Sequence, residues 1–204
     1  MGVSTLRLCA ALALLPLFAL GADAKTIESA YTDLDLERDC TVLSSAESNG
    51  EDGDWRNLVC SGYKGYPVFV YYGDSRESLF YGFPPAGAEP RWESFSRFNH
   101  TGGKIEWRIE RQNDREIPFA TIHRWFVADS WNPVKPVEVL VIEKVGQVDR
   151  GQGCAVGYVV ATENRAANAE ARRIADEKAR TFRCGIDQPA IGTGIVPLPE
   201  IAQR

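Results

Sequence analysis

The chain has 204 residues, 44% of them hydrophobic and 25% charged, a composition that excludes wholesale disorder and fibrous repeats. Its length suits one domain or at most two small ones. Basic residues number 23 against 28 acidic, and the net charge of -5 offers no overall attraction to DNA or RNA, so nucleic acid is set aside as a partner.

Residues 1–24 read as an export signal. Arg7 and the amino terminus place positive charge ahead of an apolar run over 8–20, which is shorter than the roughly 20 residues a membrane-spanning helix needs and contains Pro16. Ala22-Asp23-Ala24 then presents small residues at the two positions a signal peptidase reads, predicting cleavage that leaves Lys25 first. The mature chain is expected in the periplasm or outside the cell, with no stable membrane insertion. Cys9 leaves with the signal, and Cys40, Cys60, Cys154 and Cys184 remain. An even count behind an export signal reads as disulfides, and of the three pairings the short loops favour Cys40–Cys60 and Cys154–Cys184. With no C-x-x-C pair and only His100 and His123 to add, neither a metal site nor a cofactor is expected.

Residues 57–161 read as successive strands, over 57–62, 67–72, 78–83, 104–111, 119–127, 137–145 and 154–161, each rich in β-branched and aromatic residues and bounded by Gly, Pro, Asn or Asp. The runs 137–142 and 155–160 are almost continuously apolar, which predicts strands covered on both faces. A single helix is expected over 164–182, with Asn164 or Thr162 as its cap. Ala167, Ala171, Ile174, Ala175, Ala179 and Phe182 form its apolar stripe, while Glu170, Arg172, Arg173, Asp176, Glu177 and Arg180 face water. The fold class is therefore α+β: one domain over 25–187, a mostly antiparallel sheet of about seven strands packed by one C-terminal helix, and two disulfides. Residues 188–204, within a segment from Gly185 onward that is rich in Gly and Pro and shows no usable periodicity, are expected to form a loose tail.

The segment 104–111 alternates, with Ile105, Trp107 and Ile109 on one face and Glu106, Arg108 and Glu110 on the other. A two-residue turn at Asn113-Asp114 would set Ile105 opposite Ile122, Trp107 opposite Ala120 and Lys104 opposite His123. Glu106, Arg108 and His123 would then share a solvated polar face, with the turn residues Asp74 and Arg76 nearby. That face is the ligand-binding surface expected from sequence. Trp107 reads as core, while Trp92, Trp125 and Trp131 are free to line a ligand groove.

Gly73-Asp74-Ser75 after an apolar strand resembles the first block of the GDSL (SGNH) hydrolases, in which the serine is the nucleophile. That mechanism needs a D-x-x-H segment, and here Ala120 precedes His123 and Arg97 precedes His100 at that spacing. No catalytic residue is assigned. A second resemblance lies in the run Cys60-Ser61-Gly62-Tyr63-Lys64-Gly65-Tyr66-Pro67-Val68 with Gly73-Asp74-Ser75-Arg76, in Ile105-Glu106-Trp107-Arg108, in Pro118-Phe119-Ala120-Thr121-Ile122 with Arg124-Trp125, and in the stretch from Cys154 to Cys184. There the chain is similar to a small family of exported alphaproteobacterial proteins with no assigned activity, which implies a periplasmic or secreted location and transfers no site residue. The function expected is a non-catalytic module binding a protein, peptide or glycan of the cell envelope. The alternatives are a hydrolase acting on cell-wall or extracellular material and a structural envelope component.

Overall fold

The structure, a computed structural model, describes residues 1–2, 25–129, 134–192 and 194–203. The apolar run of the export signal, Cys9 and Trp131 lie outside the described residues. Among those described, no helix is long and apolar enough to cross a membrane.

The strands are β1 (Thr26–Asp33), β2 (Cys40–Ser45), β3 (Arg56–Cys60), β4 (Val68–Gly73), β5 (Arg76–Tyr81), β6 (Glu93–Phe95), β7 (Asn99–Gln112), β8 (Arg115–Val127), β9 (Val137–Lys144), β10 (Cys154–Val160), β11 (Ala190–Ile191) and β12 (Ile201–Gln203). A one-turn helix, α1 (Ala46–Asn49), follows β2, and the main helix, α2 (Ala167–Lys178), follows β10. Three sheets result: six strands in the order β1-β7-β8-β9-β10-β11, four in the order β2-β3-β4-β5, and the pair β12-β6. Every pairing is antiparallel except β10 with β11.

The six-stranded sheet is the middle layer. On its inner face Ile105, Trp107, Trp125, Val139, Val141 and Tyr158 meet Leu58, Val68, Val70, Leu79 and Tyr81 of the four-stranded sheet and Phe95 of β6. On its outer face Ala120, Ile122, Leu140, Ile142, Val156 and Val159 meet Ala167, Ala171, Ile174, Ala175, Ala179 and Phe182. Two-sided coverage is the physical reason the middle of β9 and most of β10 are apolar on both faces. The alanine stripe lets α2 lie close on the sheet. Both disulfides form as expected: Cys40–Cys60 joins residues directly opposite in β2 and β3, and Cys154–Cys184 ties the start of β10 to the chain beyond α2.

The register of β7 on β8 departs from expectation at one residue. The Asn113-Asp114 turn does form, with Gln112 opposite Arg115 and Ile109 opposite Pro118. Arg108 then pairs with Ala120, leaving Phe119 as an extra residue on β8. Pro118 has no N–H to give the ladder, and a proline inside a sheet belongs at such a bulge. The insertion exchanges faces beyond it: Ile105 sits opposite His123 and Trp107 opposite Thr121, so His123 points to the inner face.

Two further corrections concern the C-terminal third. The segment expected to be a loose tail carries β11 and β12, and Leu198 and Ile201 rest against the inner core. Neither Asn164 nor Thr162 caps α2 directly; Asn164 Oδ1 instead accepts from the Ala166 N–H, shaping the turn before the helix.

Candidate functional site

The five residues expected to form one binding face occupy three separate places. Glu106 and Arg108 share the outer face of β7, but α2 covers them and each is 8% exposed. Arg172 donates to Glu106 through Nε (2.7 Å) and Nη2 (3.1 Å), and Arg108 donates to Asp176 through Nε (2.8 Å) and Nη2 (2.7 Å). Ser29 on β1 joins the two pairs, donating to Glu106 Oε1 at 2.5 Å while accepting from Arg108 Nη1. The geometry fits because four residues of helix rise about 6 Å and two residues of strand rise about 6.7 Å, so Arg172 and Asp176 reach Glu106 and Arg108 in step. Burial opposes ionisation of Glu106, but the hydrogen bonds from Arg172 and Ser29 and the charge of Arg108 outweigh it and hold the carboxyl below its usual range. The network therefore joins helix to sheet. It also corrects the solvated-face reading of α2, since Arg172 and Asp176 face the sheet and the i,i+4 surface pair is Arg173–Glu177.

His123 is 1% exposed on the inner face. Its Nε2 lies 2.5 Å from the Gly102 carbonyl, which only accepts, so Nε2 carries the proton and Nδ1 accepts from the Tyr81 hydroxyl at 2.7 Å. Burial drives the imidazole down to about 4 against the opposing pull of the Gly102 carbonyl, leaving it neutral at pH 7. Glu143 is buried on the same face, held well above the ordinary carboxyl range by burial and by the charge of Glu93. Glu93, Glu143 and Trp125 border a cavity of about 10 Å³, far too small for a ligand.

Asp74 and Arg76 sit at the β4–β5 turn. Asp74 and Ser75 both take left-handed backbone, φ 53° and 55°, as a two-residue turn of the type favoured between twisted strands requires. Arg76 donates to Asp74 at 2.5 Å. Neither touches the Glu106 network or His123.

Beside this turn the structure opens a groove of about 420 Å³, bordered by Tyr72 and Ser75 from the β4–β5 hairpin, by Phe98, Asn99 and His100 around the start of β7, and by Phe126 of β8. Phe98 is 61% exposed, a large apolar ring presented to water. His100 stacks on Phe126 with centroids 5.1 Å apart, and the Arg56 guanidinium lies over Tyr72 at 5.2 Å. The local backbone is already paired: the Asn99 N–H donates to Ser75 and the Ala128 N–H to Phe98. Asn99 is buried and donates through Nδ2 to Ser94 and Arg97, fixing the start of β7 beneath the rings.

None of the site residues read from sequence lines this groove; Asp74 and Arg76 flank Ser75, which does. Phe98, His100 and Phe126 do not follow from the tryptophan pattern of the sequence: Trp107 and Trp125 are core, and Trp92 is half-buried. The available signal was Phe98 in the loop between two short polar stretches, where no buried face required an apolar ring. Ser75 borders the groove with His100, yet no hydrogen bond joins them among the described residues, and His100 is stacked rather than oriented by a carboxylate. No cluster of metal-ligating side chains occurs among the described residues. Family models, curated proteins and solved structures offer no match to the chain.

Proposed function

We propose that the protein is an exported, non-catalytic module that binds a glycan of the cell envelope in the groove between Phe98, His100, Phe126 and the β4–β5 turn. The observation that carries this reading is the exposed Phe98 beside the stacked His100–Phe126 pair. Aromatic faces are electron-rich and receive the C–H bonds of a sugar ring, while Ser75 and the rim supply polar groups for its hydroxyls. A peptide added as a strand would need unpaired ladder groups, and the Asn99 and Ala128 N–H groups at the groove are already taken. Two disulfides favour an oxidising compartment and so support export.

The test is titration of the disulfide-bonded protein with soluble glycan fragments released from bacterial envelopes, followed by calorimetry. Phe98→Ala should weaken binding about tenfold, the loss expected for an anchoring aromatic, while leaving the melting temperature nearly unchanged. Binding that survives Phe98→Ala and Phe126→Ala alike would remove the groove as its site, and a failure of every envelope glycan to bind would remove the function.

A further inference from the structure

At the other end of the β7–β8 hairpin lies a cleft of about 530 Å³ that the glycan reading does not use. From Asn99 to Glu110 the strand spans roughly 35 Å, so the two places are distinct. Lys25, Lys144, Arg150 and Arg180 border the cleft, against two carboxylates, Glu110 and Asp149. That surplus of positive charge stands on a chain whose net charge is -5.

The carboxylates present do not neutralise it. Glu110 is shared, with Lys25 Nζ at 3.0 Å from one oxygen and Arg180 Nε at 3.7 Å from the other. Asp149 pairs with its neighbour Arg150 at 3.4 Å, and both side chains are more than 70% exposed, so water screens the pair. Lys144 has no carboxylate within ion-pair distance among the described residues. Its Nζ donates to the Phe182 carbonyl at 2.8 Å and, more weakly, to that of Arg180 at 3.4 Å. Those contacts fix the ammonium without cancelling its charge, and burial together with nearby Arg150 lowers its pKa against the weaker opposing pull of the Asp187 carboxylate.

Two of the cationic groups, Lys144 and Arg180, are also held in place before any ligand arrives. Arg180 lies flat over the Phe119 ring at 4.3 Å and donates to the Asp176 carbonyl at 2.8 Å. Phe119 is the bulge residue of β8, so the same irregularity that turns His123 inward sets the ring on which this guanidinium rests. Preorganised cations around a partly apolar cleft of this size form a site for a small anionic ligand.

We infer that this cleft binds a ligand bearing a phosphate or carboxylate group, with Lys144 and Arg150 as its principal charge contacts and Arg180 as a third. The site is independent of the aromatic groove. It is tested by titrating the isotope-labelled, disulfide-bonded protein with inorganic phosphate in one arm and succinate in the other, following amide shifts of residues 144–152. At least one probe should give saturable shifts centred there, and the tighter probe identifies which oxyanion the site prefers. Arg150→Ala, at an exposed position, should weaken that binding about tenfold without altering stability, since a hydrogen bond to a charged group is lost. Lys144→Met should do the same, and if that variant fails to fold, Arg150→Ala decides alone. Phe98→Ala should leave the shifts as they are, separating this site from the glycan groove. Absence of saturable shifts with both probes, or equal affinity in Arg150→Ala, would overturn the assignment.

Discussion

The two faces of the six-stranded sheet bury polar groups in opposite ways. Under α2, Glu106 stays ionised because it meets Arg172 in bidentate geometry beside Arg108, which itself grips Asp176. On the inner face, His123 and Glu143 meet no opposite charge among the described residues, and burial favours the neutral form of each. A strand with alternating polarity therefore fixes which residues share a face, whereas the layer packed on that face fixes whether they stay ionised.

The largest effect should come from breaking the outer network. Arg108→Ala leaves Asp176 without its cation and Glu106 with Arg172 alone, and should destabilise the fold by about 3 to 5 kcal/mol, measured by denaturant unfolding, as for other buried pairs that lose one partner. Replacing Glu106, Arg108, Arg172 and Asp176 together by Leu or Met should restore most of that stability, because no uncompensated charge remains.

A smaller, pH-dependent effect belongs to His123. Its folded form resists protonation down to about 4, whereas the unfolded chain takes up the proton near 6.5, so the stability due to the neutral ring is complete above 6.5 and is lost as pH falls towards 4. Integrated over that window the loss is about 3 kcal/mol at most, and His123→Gln should flatten this part of the stability profile. Glu143 acts with the opposite sign. Its raised pKa makes the folded state hold a proton that the unfolded chain has released, so its contribution worsens as pH rises above the ordinary carboxyl value. Glu143→Gln should accordingly raise the melting temperature at pH 7 and leave it unchanged below pH 4.

Much of the inner architecture was legible in sequence. Strands β3–β5 and β7–β10, the two-residue turn at Asn113-Asp114 and both disulfide pairings follow from alternation, turn chemistry and loop length, whereas the three-residue β6 does not. The binding face was not, because a period of two carries no tolerance for an inserted residue, and the bulge at Phe119 reversed His123. Pro118 was its one local sign. Strands β1 and β2 escaped notice for another reason: they are sheet edges, rich in Thr, Ser and acidic residues, with little apolar patterning to mark them. The link from Arg172 and Asp176 to β7 depends on a match of rise between helix and strand that no single segment displays. The aromatic groove gathers residues from three distant stretches, so only the folded chain brings Tyr72, Phe98 and Phe126 together.

The pairing of β12 with β6 bears on the order in which the molecule assembles. Ile201 lies opposite Phe95, so one of the last described residues closes against a strand from the middle of the chain. Loop closure over such a span is entropically unfavourable until intervening elements are in place, and long-range antiparallel pairings of this kind raise contact order and slow folding. Phe95, at 1% exposure, is thus sealed only when β12 pairs with β6, after the strands that lie between them in the chain have formed.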